Sequence, residues 1–222
     1  MTALSTQASP AEARRAMVRG QLESRGIADP RVLAAFMSVP RQAFVEAPLR
    51  PYAYEDRPLL IPEGQTISQP YIVALTVESL ALTGTERVLE IGTGSGYEAA
   101  ILSALAARVY SVERFPRLAE FARHNLLRAG FGTVELLCGD GTLGWPAHAP
   151  FDAIAVSAAG PVVPPALLEQ LAVGGRLVIP VGSEENQVLT RVTQKRPGVF
   201  DAEEISPVRF VPLIGAQGWT EG

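Results

Sequence analysis

The sequence predicts an α/β protein built on a doubly wound, mostly parallel sheet. Two observations carry that expectation. A strand, a glycine loop and a helix follow one another through Val88-Leu89-Glu90-Ile91-Gly92-Thr93-Gly94-Ser95-Gly96-Tyr97 and on to Leu105. Strand-like apolar runs then alternate with helical stretches as far as Val181, the pattern of successive β-α units.

The elements are expected in the following order. Residues 11–24 are helix-like, and Pro30 opens a second helix to about Ser38. Pro40, Pro48, Pro51, Pro58 and Pro62 then break the chain into turns and short extended pieces, and a further helix is expected from about Tyr71 to Leu82. Strands are predicted near 87–91, 109–113, 134–138, 151–156 and 176–181, the last entered through Gly174-Gly175. Helices are predicted near 97–106, 116–129 and 165–171. Residues 187–192 and 208–211 read as closing strands, an antiparallel addition. No internal repeat, low-complexity tract or interdomain linker is visible, so the 222 residues read as one domain with decorations.

Composition narrows the functional classes. Hydrophobic residues at 47% and charged residues at 19% fit a globular protein. A net charge of −4, with scattered basic residues that are nearly all arginine, gives no nucleic-acid footprint. A single cysteine excludes an internal disulfide and a cysteine-rich metal site. No run approaches the ~18 apolar residues of a membrane span. The polar stretch Met1 to Pro10 lacks the apolar core of a signal peptide, so the cytoplasm is the expected compartment.

The glycine loop is the strongest chemical signal. Glycine lacks a Cβ and tolerates positive φ, so a ligand can approach bare backbone there. Dinucleotide sites want G-x-G-x-x-G, with a pyrophosphate on the helix N-terminus. Here the third glycine comes one residue early, a spacing that suits S-adenosyl-L-methionine, which has no phosphate. Taken alone, the loop leaves a structural turn open. Two further acids add weight. Glu113 ends the second strand about twenty residues on, where a carboxylate can accept ribose hydroxyls. Asp140, between Gly139 and Gly141 after the third strand, can reach an adenine amino group, although Asp and Gly are also ordinary turn residues.

Upstream of the loop, Gly64-Gln65-Thr66-Ile67-Ser68-Gln69-Pro70-Tyr71 is too polar for core. Ser68 reads either as a helix N-cap or as a hydroxyl at a helix start that could seat a substrate carboxylate. Cys138 ends an apolar strand and is expected to be a buried, inert thiol. His124 and His148, the two histidines, are expected at the surface.

Taken together, these residues resemble the protein-L-isoaspartate O-methyltransferase family in its bacterial form, from about Met17 to Leu213. The resemblance rests on the Gly64–Tyr71 and Leu89–Tyr97 segments, Ser111-Val112-Glu113, Gly139-Asp140-Gly141 and residues 149–154. It continues through Gly174–Gly182 and Val208-Arg209-Phe210-Val211-Pro212-Leu213. One departure is Gly160 in Ala158-Ala159-Gly160-Pro161, where proline is often expected; a looser loop would follow.

The resemblance implies a Rossmann-like, S-adenosylmethionine-dependent methyltransferase fold with an N-terminal helical extension. Residues 1–82 would form a helical and substrate segment, 83–185 the cofactor-binding core, and 186–222 the closing strands and tail. The implied reaction methylates the free α-carboxylate of L-isoaspartyl residues in damaged proteins and peptides, by a monomer that needs no metal, nucleic acid or membrane. Ser68 would be the active-site residue. Thr66, Ser68, Val208 and Val211 would meet the substrate, and Glu90, Gly92, Gly94, Ser95, Glu113, Asp140 and Gly141 the cofactor. Other readings stay open at this point: methylation of aspartate in one dedicated peptide, a nicotinamide-dependent oxidoreductase, and a non-catalytic binding module.

Overall fold

The computed structural model describes residues 9–220; residues 1–8, most of the polar opening stretch, and the last two residues lie outside it. Helices α1 (Pro10–Met17), α2 (Pro30–Ser38) and α3 (Pro70–Ser79) lead the chain. Each has proline in its first turn, where a missing N–H costs nothing. Ser9 and Glu12 form a capping box on α1, and Asp29 caps α2 by accepting from the Arg31 N–H at 2.8 Å. Between α2 and α3 a small hairpin pairs β1 (Leu59–Leu60) with β2 (Thr66–Ile67).

The main sheet comprises β3 (Arg87–Ile91), β4 (Arg108–Glu113), β5 (Glu135–Cys138), β6 (Phe151–Val156), β7 (Leu171–Gly182), β8 (Gln187–Arg196) and β9 (Val199–Val208). Helices α4 (Tyr97–Ser103), α5 (Pro116–Ala129) and α6 (Pro165–Glu169) connect its strands. The spatial order is β5-β4-β3-β6-β7-β8-β9. The first five strands are parallel, and β8 and β9 extend them by antiparallel pairing.

Strand alternation divides the core in two. Val88, Val109, Ala153 and Val178 point to the face covered by α1 to α5, where they join Met17, Phe36, Val77, Ile101 and Leu118. Leu89, Tyr110, Ile154 and Leu177 point to the other face, covered by Leu167 of α6 and by the turn that carries Trp145. Covering both faces is what a parallel sheet requires, since its crossovers lie above and below it.

The elements differ from the sequence expectation mainly at their ends, and side chains explain several of the differences. α3 stops at Ser79 because Arg176 reaches across from β7 to take its trailing carbonyls, donating from Nε to Leu80 O at 2.7 Å and from Nη2 to Ala81 O at 2.6 Å. α6 stops at Glu169, and Leu171 instead opens β7, pairing with Phe151 of β6; β7 runs on through Gly174-Gly175 with a register shift against β6. The last strand is Val199–Val208, not residues 208–211, because Pro197-Gly198 turns the chain back after β8. Cys138 is exposed, not buried, because β5 is an edge strand. The Gly160 loop is tied on both sides: the Gly160 N–H donates to Pro180 O at 3.0 Å, and the Gly182 N–H donates to Gly160 O at 3.1 Å. A proline there would lack that donor.

The turn from β3 into α4 sets the site, and Gly96 fixes it. Its φ is +87°, and a Cβ would lie 3.0 Å from Leu126 Cγ and 3.3 Å from Ala122 O of α5. Gly130, with the same φ, has open space around it. Gly96→Ala is therefore expected to cost roughly 2–4 kcal/mol, combining backbone strain and overpacking. Gly130→Ala should cost only about 1–2 kcal/mol. Denaturant unfolding of the two variants checks this, and equal losses would show that α5 gives way freely.

Candidate functional site

The sheet order reverses between β3 and its two neighbours, β4 and β6, and the carboxyl ends of these strands open a crevice there. The loop from Gly92 to Gly96 forms its floor. Gly92, Gly94 and Gly96 all have positive φ. The Gly92 N–H donates to Val112 O at 2.9 Å and the Ser157 N–H donates to Ile91 O at 2.8 Å, joining the loop to β4 and to the end of β6. The resulting cleft encloses about 930 Å³ of space between its walls, open mouth included.

Thr66, Ile67 and Ser68, from β2 and the approach to α3, line one side of the cleft. Ser68 is not a cap: Gln69 occupies the N-cap position of α3 and makes no side-chain capping bond. Among the described residues the Ser68 hydroxyl has no hydrogen-bond partner, while its carbonyl accepts from Arg41 Nη2 at 2.7 Å. Arg41 is fully buried, donates from Nε to Ala53 O at 2.8 Å, and sits 4.8 Å above the Tyr97 ring. Burial lowers its pKa to about 10, so it stays charged at neutral pH. One buried cation thus links the N-terminal turns, the Ser68 backbone and the first residue of α4. The sequence reading missed Arg41; an arginine between Pro40 and Gln42 carried no visible signal of burial.

Three carboxyl groups surround the glycine loop. Glu113 lines the cleft and supports the loop, accepting from Gly94 N at 2.9 Å and from Phe115 N at 3.0 Å. Glu90 is sealed beneath the loop at 0% exposure and does not line the cleft; Ser111 Oγ donates to one of its oxygens and the other has no partner. Burial first, then the neighbouring charge of Glu98, raises its pKa well above the ordinary value. Glu98, in the first turn of α4, does line the cleft. It is 8% exposed, accepts from Ser157 Oγ at 2.8 Å, and leaves its second oxygen unpaired. Burial raises its pKa to about 7, opposed in part by the Ser157 bond.

Gly141 lines the far end, where a Cβ would collide with Ile91. Asp140 is a correction to the sequence expectation: its carboxylate does not line the cleft. It accepts from Thr142 N at 2.9 Å, Thr142 Oγ1 at 2.7 Å and Ala216 N at 2.7 Å. Burial alone would raise its pKa, but these donors hold it below the ordinary value. Asp140 thereby anchors the segment after β9, which passes beside the cleft. Val211, Pro212, Leu213 and Ile214 of that segment form the opposite wall. Backbone bonds of 2.8 Å in both directions join Ala159 to Val211 and Leu213. Val208 is a second correction: it ends β9, opposite Gln187, outside the cleft. Ser95 is nearly buried in the floor, its carbonyl accepting from Asn125 Nδ2 at 3.1 Å.

The cleft suits S-adenosyl-L-methionine. Gly92 and Gly141 leave bare backbone, Glu98 offers an orphaned acceptor, and Glu98 and Glu113 together disfavour a pyrophosphate but not a cationic sulfonium. Among the described residues no group of three or more His, Cys, Asp or Glu could hold a metal ion, and no helix is long and apolar enough to cross a membrane.

Comparison with known proteins agrees with this geometry. Residues 12–218 match the family described as Protein-L-isoaspartate(D-aspartate) O-methyltransferase. The chain is 59% identical over 207 residues to Protein-L-isoaspartate O-methyltransferase 2 of Marinobacter nauticus, covering 93% of this chain and 94% of that one. It is 54% identical to the Protochlamydia amoebophila protein-L-isoaspartate O-methyltransferase, covering 91% and 97%. A solved protein-L-isoaspartate O-methyltransferase superposes with a TM-score of 0.82 at 33% identity, covering 92% of this chain and 67% of that one. A Plasmodium falciparum structure described as the same enzyme, in complex with S-adenosyl-L-homocysteine, superposes at 0.79 with 25% identity, covering 90% and 98%.

The raised carboxyl of Glu98 has a thermodynamic consequence. The folded protein binds this proton more tightly than the unfolded chain, whose value is near 4.5. The associated stability is fully present below about pH 4.5 and is lost as the pH rises through about 7. Glu98→Gln removes that loss. Without ligand, the variant should gain roughly 3 kcal/mol on the parent at about pH 8, and the gap should close toward about pH 5. Thermal unfolding across that range checks it; a gap independent of pH would mean that Glu98 titrates normally.

Proposed function

The chain belongs to the protein-L-isoaspartate(D-aspartate) O-methyltransferase family, and from that premise we propose which of its residues carry the reaction. The enzyme transfers a methyl group from S-adenosyl-L-methionine to the free α-carboxylate of L-isoaspartyl residues. The resulting ester closes to a succinimide that partly reopens as aspartate, so the activity is repair.

The nucleophile is a carboxylate, ionised at neutral pH, so the protein need supply no general base. When bound, S-adenosyl-L-methionine supplies a methyl group on a sulfonium, which is a good leaving group. The work left to the chain is alignment and exclusion of water. Ser68 carries the assignment. Among the described residues its hydroxyl has no partner at the cleft wall while its backbone is pinned by Arg41, so it can donate to the substrate carboxylate without first breaking another bond. It acts as an orienting donor, not a covalent nucleophile.

Thr66 beside it and Val211 across the cleft bound the space for the isoaspartyl segment, and their place in the lining supports that role. Gly92, Gly94 and Ser95 accommodate the methionine portion on bare backbone. Glu113 has lone pairs left for ribose hydroxyls beyond its two N–H bonds. Gly141 meets the adenine end, and Asp140 serves it indirectly by anchoring the wall. Residues 1–82 serve the substrate side, 83–185 the cofactor side, and 186–222 close the cleft. Monomeric action on damaged proteins in the cytoplasm completes the reading, and the net charge of −4 supports a protein substrate over nucleic acid.

The direct test is methyl transfer from labelled cofactor to a short peptide in isoaspartyl and normal aspartyl versions. Base-labile label on the isoaspartyl version alone is expected; label on the aspartyl version would point to a dedicated peptide. Ser68→Ala should lower kcat by roughly tenfold or more while leaving cofactor affinity within about twofold, the signature of an interaction made at the reacting carboxylate. Unchanged turnover would remove Ser68 from the site.

A further inference from the structure

We propose that Glu98 is the residue that holds the α-ammonium of the cofactor's methionine portion, so that the cleft selects a nucleoside carrying a free amino group. The proposal rests on the cofactor assignment above.

Geometry carries it. Glu98 lies in the turn that follows the glycine loop, lines the cleft beside Gly92 and Thr93, and is more than nine-tenths buried. One carboxylate oxygen accepts from Ser157 Oγ; the other is buried without a partner. Among the described residues no arginine or lysine forms an ion pair with it. Buried charges are ordinarily paired, because removing a carboxylate from water costs several kcal/mol unless a partner is present.

Chemistry adds a second argument. A glutamine at this position would keep the Ser157 bond, bring a donor instead of an orphaned acceptor, and remove the charge that disfavours the ionised form of Glu90. An acid is therefore a costly choice for structure alone. It becomes favourable once a cation arrives, since a charge-assisted bond to an ammonium satisfies the free oxygen and offsets the crowding of like charges. Glu90, which the sequence reading placed among the cofactor residues, is sealed beneath the loop and does not line the cleft. Glu113 accepts from Gly94 and Phe115, and the reading above gives its remaining lone pairs to the ribose hydroxyls.

Calorimetric titration of the full chain with S-adenosyl-L-homocysteine, and with its analogue in which hydrogen replaces the α-ammonium, tests the proposal in the parent and in Glu98→Gln. The parent should bind the ammonium-bearing ligand roughly ten- to a hundredfold more tightly than the analogue, the span of a charge-assisted hydrogen bond. Glu98→Gln should lose most of that preference through weaker binding of S-adenosyl-L-homocysteine, with analogue affinity nearly unchanged. A preference retained in the variant, or an equal loss for both ligands, would overturn the assignment. A parent that binds neither ligand would instead overturn the cofactor reading beneath it. The comparison of ligands in the parent needs no variant, and an unfolding curve shows that the variant is folded.

Discussion

Charge concentrated under a loop of bare backbone governs this molecule. Glu90, Glu98 and Glu113 converge on the segment from Gly92 to Gly96, two of them nearly or wholly out of water on strands and one at the start of a helix. Glu113 spends its charge on loop N–H groups, which fixes the loop's shape. Burial, and then the neighbouring charge of Glu98, push the Glu90 carboxyl well above its ordinary value, and one of its oxygens accepts from Ser111 Oγ. Glu98 lies between these extremes, and its state depends on what occupies the cleft. The floor is built at a cost in stability, as binding sites commonly are.

A cation on the other side of the cleft balances this arrangement in space. Arg41 enters from the turns between α2 and β1, holds the Ser68 carbonyl, and rests over Tyr97. The ring and the guanidinium couple the serine segment to the helix that leaves the glycine loop. Reacting groups held on separate segments can lose alignment through small relative shifts, and misplacement by about 1 Å can cost a hundredfold in rate. A rigid planar cation with fixed donors is well suited to prevent such shifts.

Much of this was legible in the residues. The parallel core follows from the alternation of strands and helices, and the loop, Glu113 and Ser68 announce themselves by spacing and by polarity out of place. What escaped were features set by partners distant in sequence. Nothing near Asp140 tells that its carboxylate serves Ala216, more than seventy residues on. Glu90 and Glu98 look alike as acids flanking a loop, and only the three-dimensional packing sends one below the floor and the other into the cleft. The end of a helix escaped where a distant side chain takes its trailing carbonyls, as Arg176 does for α3. The Pro197-Gly198 turn, by contrast, was visible and went unused in placing the last strand.

The wall formed by residues 211–214 gives the site an order of assembly. Those residues follow β8 and β9 in the chain and are held at the cleft by Ala159 and, through Ala216, by Asp140. During synthesis, every other part of the cleft leaves the ribosome before its closing side does. A chain whose closing segment is not yet in place would lack one wall of the pocket. Ligand affinity is then a reporter of completed folding, and a ligand that requires the enclosed pocket draws the population toward the finished fold by mass action.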